Sequence, residues 1–319
     1  MTSTTAPRTI PLVDLSQFEQ GDKTQRQAFI NQLGEAFHDI GFVGVTGHGI
    51  SKDLIDDFYV AAKKFFALPV ETKRKYEVAG AAGQRGYTSF GKEHAKQSQV
   101  ADLKEFFQIG QELNDTSDSA YQKNPHVEEV PAFMDLGMQL YRAFEASGNS
   151  LLRAIALYLG LDEQYFGEQT SDGMSILRAI HYPPITQEPK SAIRAEQHED
   201  INLITLLVGA SAGGLELQNA AGEWQEIVPE NDEIVINVGD MLQRLTNNYL
   251  RSTTHRVVNP PRSEWDKPRL SIPFFLHPRP DMKLDVLPST VTAERPQAYA
   301  PITAGEYLDE RLREIGLKK

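Results

Sequence analysis

Apolar positions follow a helical period in the first half of this chain and an alternating one in the second. Phe29, Leu33, Phe37 and Ile40 recur at helical spacing, with Thr24 and Gln27 in capping-box spacing ahead of them and Gly41 as a stop. A second stripe, Leu54, Phe58, Ala62 and Phe65, follows Ser51 as N-cap, lets Ile50 staple against Ile55, and ends before Pro69. Phe133, Leu136, Leu140, Phe144, Leu151, Ile155 and Leu159 predict a long helix over about 132–159, its middle loosened by Ser147, Gly148 and Asn149. Strand-like segments lie between the helices at 10–15 (IPLVDL), 42–50 (FVGVTGHGI) and 103–110 (LKEFFQIG). Residues 79–100 carry four glycines within GAAGQRGYTSFGKEHAK and hold no period, which predicts a long functional loop; 111–128 read as an exposed polar connection.

From Met174 the period shortens to two. ILRAIHY, INLITLLV, GLELQ, WQEIV, EIVINV, the stretch around LQRLT, THRVV and RLSIPFFL read as about eight short strands. AGG, NAAGE, PENDE, NN and Pro260–Pro261 supply the turns, with NN expected to close a hairpin. The pattern predicts a mainly β fold with packed helices, a double-sheet jelly roll or barrel with an N-terminal helical region. Thr303 and Glu306 then cap a closing helix carrying Tyr307, Leu308, Leu312 and Ile315. No repeat or low-complexity tract divides the chain. The expectation is a single domain over 1–319, with an N-terminal region at 9–130, a jelly-roll core at 174–280 and a C-terminal tail and helix at 281–319.

Composition narrows the function. Of 319 residues, 40% are hydrophobic and 24% charged, as in ordinary soluble enzymes. A net charge of −12 without a basic stripe argues against a nucleic-acid partner. The sequence has no cysteine, which excludes disulfides, thiolate metal sites and a cysteine nucleophile and suits a reducing cytoplasm. MTSTTAPRTIPLVDL lacks the charged start and apolar run of a signal peptide, and no apolar stretch reaches the roughly 20 residues of a membrane helix, so a cytoplasmic protein without a membrane partner is expected.

The candidate chemistry lies in QHED (197–200), in His255 of TTHRV, and in Arg269 and Ser271 of RLS. On an extended strand, residues i and i+2 leave the same face, so His198 would point with Asp200, and Arg269 with Ser271. Two imidazoles and a carboxylate holding one face of a metal are the ligand set of non-haem Fe(II) oxygenases. An arginine fork beside a hydroxyl makes a carboxylate clamp. His38, His48, His94 and His126 sit on an amphipathic helix, in a glycine turn or in polar loops, and are expected to be exposed or locally bonded.

HEDINLITLL, LTNNYLRSTTHRV and RLSIPFFL closely resemble blocks of isopenicillin N synthase and its relatives among the 2-oxoglutarate- and Fe(II)-dependent oxygenases. IPLVDL, GFVGVTGHGI and FFALPVETKRKY are similar to the N-terminal region of that superfamily, so the resemblance spans roughly residues 9–280. It implies a double-stranded β-helix with His198, Asp200 and His255 as iron ligands, and a carboxylate held by Arg269 and Ser271 with help from Tyr182. In most of the superfamily that carboxylate belongs to 2-oxoglutarate; in isopenicillin N synthase it belongs to the substrate, and a glutamine near the C-terminus also binds iron. No glutamine follows Gln297 here.

The resemblance therefore implies a dioxygenase that consumes 2-oxoglutarate and O2, releases succinate and CO2, and hydroxylates or desaturates a small-molecule substrate. Substrate contacts are expected from Arg85 and Tyr87 in the glycine-rich loop and from Phe106, Thr205 and Phe275 at the barrel rim. Three other readings use the same residues. One is an Fe(II) oxidase of isopenicillin N synthase type without 2-oxoglutarate, another a zinc hydrolase with Glu199 as the adjacent base, and the third a non-catalytic jelly-roll binding protein.

Overall fold

Asp22, two residues before Thr24, starts the first long helix. The computed structural model describes residues 9–93, 100–113, 121–209, 212–230 and 232–318; His94 and residues 114–120 of the polar connection lie outside them. β1 (Leu12–Asp14) and a single turn, α1 (Ser16–Glu19), precede α2 (Lys23–Asp39). The Asp22 carboxylate accepts from the backbone N–H groups of Thr24 and Gln25 at 2.8 and 2.9 Å, and Gln25 Oε1 accepts the Asp22 N–H at 2.9 Å. The capping box is thus Asp22–Gln25 rather than Thr24–Gln27, because a carboxylate answers the positive helix end better than a hydroxyl. Gly41 ends the helix at φ +77, where an added Cβ would lie 2.2 Å from the Arg251 carbonyl oxygen.

β2 (Phe42–Thr46) follows, then α3 (Lys52–Phe66), capped by Ser51 and burying Phe58, Ala62 and Phe65 completely. Pro69 closes this helix and opens another, α4 (Val70–Arg74). The glycine-rich stretch is not all loop: β3 (Gly86–Thr88) pairs antiparallel with β4 (Glu105–Gly110), Tyr87 opposite Phe107. α5 (Ala132–Tyr158) runs unbroken through 147–149, against the expectation of a loosened middle. Ser147 Oγ reaches the His48 carbonyl at 2.6 Å, and a Cβ on Gly148 would meet Leu276 Cδ1 at 2.4 Å. These small residues mark where the helix lies close to the sheet. A short helix absent from the sequence reading, α6 (Tyr165–Thr170), leads to the β region.

There β5 (Ile176–Tyr182), β6 (Ala195–His198), β7 (Ile204–Val208), β8 (Leu215–Gln218), β9 (Trp224–Glu226) and β10 (Ile234–Val238) succeed one another. The LQRLT stretch is a helix, α7 (Asp240–Leu245), not a strand: Met241, Leu242 and Leu245 bury one helical face in a run too short for its period to declare itself. Asn247 and Asn248, at φ +52 and +65, lead the chain out of that helix and form no hairpin. β11 (His255–Val257), β12 (Arg269–Leu276) and α8 (Ala304–Glu314), with its Thr303–Glu306 capping box, complete the fold.

An eight-stranded sheet in the order β1-β2-β10-β7-β12-β5-β4-β3 packs with a four-stranded sheet, β6-β11-β8-β9, as a jelly roll. Period two separates the faces of the large sheet. Ile234, Ile236, Leu206, Ile272 and Phe274 join the helices in the main core, which also takes in Leu308 and Leu312 of α8. Phe42, Phe106, Ile180, Tyr182 and Val235 meet Ala195, Leu215, Leu217 and Val257 of the small sheet. Being covered on both faces explains why β10 reads as one apolar run. Among the described residues no helix is long and apolar enough to cross a membrane.

Candidate metal centre and its cavity

His198, the last residue of β6, and His255, the first of β11, are register partners with ring centroids 4.4 Å apart. Asp200 lies in the turn beyond β6 and not on the strand, yet the turn returns its carboxylate to the imidazoles. Asp200 Oδ1 is 3.8 Å from His198 Nε2 and 3.7 Å from His255 Nε2, and one ligand atom from each residue falls within 4.8 Å of the others. These separations are long for hydrogen bonds and suit an ion about 2 Å from each donor. Glu199, between His198 and Asp200, accepts from Thr254 Oγ1 at 3.2 Å.

The orientation is enforced. His198 Nδ1 lies 2.7 Å from the Glu196 carbonyl and His255 Nδ1 3.1 Å from that of Thr253. A carbonyl can only accept, so each Nδ1 carries the proton and each Nε2 turns a lone pair to the centre. Asp200 Oδ2 accepts from Thr205 Oγ1 at 2.5 Å and Asn237 Nδ2 at 2.7 Å, which leaves Oδ1 for the centre. Burial pushes the Asp200 carboxyl up, but His255, His198 and these two donors outweigh it and hold it below its ordinary range. Burial, reinforced by His255, lowers His198 to about 4. Neutral imidazoles beside an ionised carboxylate are the protonation states a divalent metal needs.

On β12, Arg269 and Ser271 face the same way, opposite Tyr182 and Ile180 of β5. Arg269 is 1% exposed, its guanidinium carbon lies 5.0 Å from the Tyr182 ring centre, and its Nε donates to the Ala212 carbonyl at 3.1 Å. Its buried NH1 has no hydrogen-bond partner among the described residues. An orphaned guanidinium N–H costs about 1–3 kcal/mol, which a carboxylate oxygen relieves.

His198, Asp200, His255, Arg269, Ser271 and Tyr182 all line one cavity of about 870 Å³, together with Thr205 and Phe275. Thr205 differs from its expected substrate role, because its hydroxyl is committed to Asp200 and to Asn202 Nδ2, 2.8 Å away. Arg85 and Tyr87 do not line the cavity. Arg85 is 4% exposed and donates to the Gln122 and Gln84 carbonyls at 3.0 and 2.8 Å. Tyr87 shares the Phe107 face of the β3–β4 pair, packs edge-on to Phe65 and bonds Glu105. Phe106 is on the cavity side of the sheet, but the Arg178 guanidinium covers its ring at 4.2 Å.

Sequence reasoning missed many polar residues that line the wall, among them Glu93, Lys104, Gln108, Arg178 and His277. Polar side chains inside otherwise apolar strands, as Gln108 and Arg178 are, were the available signal. His48 Nδ1 accepts locally from the Ile50 N–H at 3.1 Å, whereas His38, expected to be exposed or locally bonded, instead reaches across the fold to the Tyr249 carbonyl at 2.7 Å.

Residues 173–278 match a family model described as the 2OG-Fe(II) oxygenase superfamily, and 10–132 match one described as non-haem dioxygenase in morphine synthesis N-terminal. The 2-oxoglutarate-Fe(II) type oxidoreductase hxnY of Emericella nidulans is 31% identical over 312 residues, 93% of this chain and 88% of the relative. A crystal structure of a putative 2OG-Fe(II) oxygenase family protein from Caulobacter crescentus is 43% identical with a TM-score of 0.86, covering 97% of this chain and 100% of that one. A full-length Neurospora crassa protein solved with alpha-KG is 32% identical with a TM-score of 0.84, covering 95% and 96%. With this coverage and a His-Asp-His cluster in the jelly roll, the chain belongs to the 2-oxoglutarate- and Fe(II)-dependent oxygenase superfamily, an oxidoreductase that uses Fe(II), 2-oxoglutarate and O2.

Proposed function

We propose that this dioxygenase hydroxylates or desaturates a small molecule in the cytoplasm, with His198, Asp200 and His255 holding Fe(II) and Arg269, Ser271 and Tyr182 holding the distal carboxylate of 2-oxoglutarate. The observation that carries the reading is the orphaned Arg269 NH1 in the same cavity as the three converging donor atoms. Bound together, Fe(II) and 2-oxoglutarate supply oxidative decarboxylation to succinate and CO2 and the power to break an unactivated C–H bond with O2.

The protein's own residues orient and exclude. Glu196 and Thr253 fix the imidazole tautomers, and Thr205 and Asn237 hold Asp200 ionised and aimed. Ile180, opposite Ser271, and Leu207, Leu215 and Val257 give the same cavity apolar surface, which strengthens a charged hydrogen bond within it. Leu308 and Leu312 of α8 close another side. A small-molecule substrate is supported by Neurospora crassa neighbours, 31% and 30% identical, solved with alpha-KG and thymine or 5-formyluracil. A shared core from Val13 to Leu312 supports a single working domain over 1–319.

The test is an anaerobic titration of 2-oxoglutarate into Fe(II)-loaded protein, followed by the visible charge-transfer band. A saturable band absent from His255→Ala is expected. Bound iron without a band would move the clamp to the substrate's own carboxylate.

A further inference from the structure

Away from the metal centre the cavity wall carries a second polar face. Arg178 on β5 donates from Nε to Gln108 Oε1 at 2.9 Å and from NH1 to Glu93 at 3.3 Å. Its guanidinium lies between the Phe106 and Phe275 rings, 4.2 and 5.0 Å from their centres, and its other terminal nitrogen makes no hydrogen bond to the described residues. Glu93 also pairs with Lys104 at 2.7 Å, and Lys104 with Asp102 at 2.8 Å. Two cations and two anions, all largely buried, thus neutralise one another on this face. Burial pushes the Glu93 carboxyl up, but Arg178 and Lys104 overcome it and hold it at about 2.

His277, just past β12, lines the same cavity within electrostatic reach of Arg178 and Asp200. It is 5% exposed, and its buried Nδ1 has no hydrogen-bond partner among the described residues. Burial lowers its pKa to about 3, so the ring is neutral at physiological pH. The site reading accounts for neither the orphaned nitrogen nor the braced guanidinium.

We propose that Arg178 and His277 form the substrate-recognition face, and that they select a compact, uncharged molecule rich in hydrogen-bonding groups, as a cyclic amide or imide is. This rests on reading the cavity as an oxygenase active site. An ionic substrate finds every charge on this face already paired, and burying its own without a counter-ion is costly. A hydrocarbon leaves the His277 nitrogen unsatisfied. A neutral donor–acceptor array matches both residues, and the phenyl ring of Phe275 bounds the space for its body.

The test uses uracil as a neutral imide, orotate as the same ring bearing a carboxylate, and toluene as an apolar body of similar size. Calorimetry on the Mn(II)-loaded protein measures each, with and without 2-oxoglutarate. Uracil is expected to bind roughly tenfold or more tightly than orotate or toluene, and His277→Leu to lose that advantage while His277→Asn keeps most of it. Arg178→Leu should weaken uracil similarly; Arg178→Lys, which keeps the charge opposite Glu93, serves should the leucine variant fail to fold. Affinity for 2-oxoglutarate stays unchanged in all four. Equal binding of orotate or toluene, no uracil binding, or folded His277→Leu and Arg178→Lys that bind uracil as wild type does, overturns the proposal. Failure of 2-oxoglutarate to bind wild type instead overturns the parent reading, while the probe series without it still decides this one.

Discussion

His198 and His255 are partners across the small sheet, and each turns Nδ1 onto the carbonyl two residues before it, Glu196 and Thr253. One local device, used on neighbouring strands, delivers two Nε2 lone pairs to a common point. The third donor comes from a turn and depends on neighbours to aim it.

That dependence makes Thr205 testable. Thr205→Val keeps the volume and removes the hydroxyl that holds Asp200 Oδ2 at 2.5 Å. Fe(II) affinity should fall roughly 10- to 100-fold, with 2-oxoglutarate affinity at saturating metal unchanged. Metal titration checks this. Unaltered Fe(II) affinity would return Thr205 to a purely substrate-facing role.

Arg269→Leu removes a buried guanidinium from the clamp. The Kd for 2-oxoglutarate should rise at least about thirtyfold, a loss of about 2 kcal/mol or more, with iron content unchanged. Arg269→Lys should recover only part, because a point charge lacks the planar fork. Wild-type 2-oxoglutarate affinity in the leucine variant would contradict the clamp.

His277 sets a pH dependence of stability. Its folded pKa, about 3, lies below the ordinary histidine value of 6.5, so the unfolded chain binds a proton that the native one refuses. The folded state therefore loses stability as pH falls from about 6.5 toward about 3, by roughly 1.4 kcal/mol per pH unit. Denaturant melts of wild type and His277→Asn should diverge with acidification across that window and run parallel above it. Parallel curves throughout would mean that the ring takes up its proton in the folded state.

Gly148→Ala should destabilise the protein even though alanine favours helix by about 1 kcal/mol. The new methyl meets Leu276 Cδ1 at 2.4 Å, and overpacking of this kind costs about 1–3 kcal/mol. A raised melting temperature would show that Leu276 moves aside freely.

The legible part of this protein was its chemistry-bearing set. His198, Asp200, His255, Arg269 and Ser271 stood out because their spacing matches a metal-ligand triad and a carboxylate clamp. The misread parts depend on parity and packing. Tyr87 and Phe107 share the helix-facing side of their strand pair, so Tyr87 leaves the cavity by one register position. Phe106 has the right parity but lies beneath Arg178. α7 reads as a strand in sequence because a few apolar residues fit either period. Arg178 carried a signal as a polar residue inside the apolar run of β5, whereas the unpartnered nitrogen of His277 shows only in the folded chain.

The pairing of β2 with β10 has a consequence in time. Val45 of β2 is matched to Ile234 of β10, 189 positions later in the chain. At about 5–20 residues per second, a ribosome takes roughly 10–40 s to make that partner. Throughout that interval one side of β2 has open backbone groups flanked by Val43 and Val45, a ready template for another nascent chain. Slower synthesis lengthens the exposure and cooler growth weakens the attraction, so yield of soluble protein is governed by how long this edge waits as well as by the stability of the finished fold.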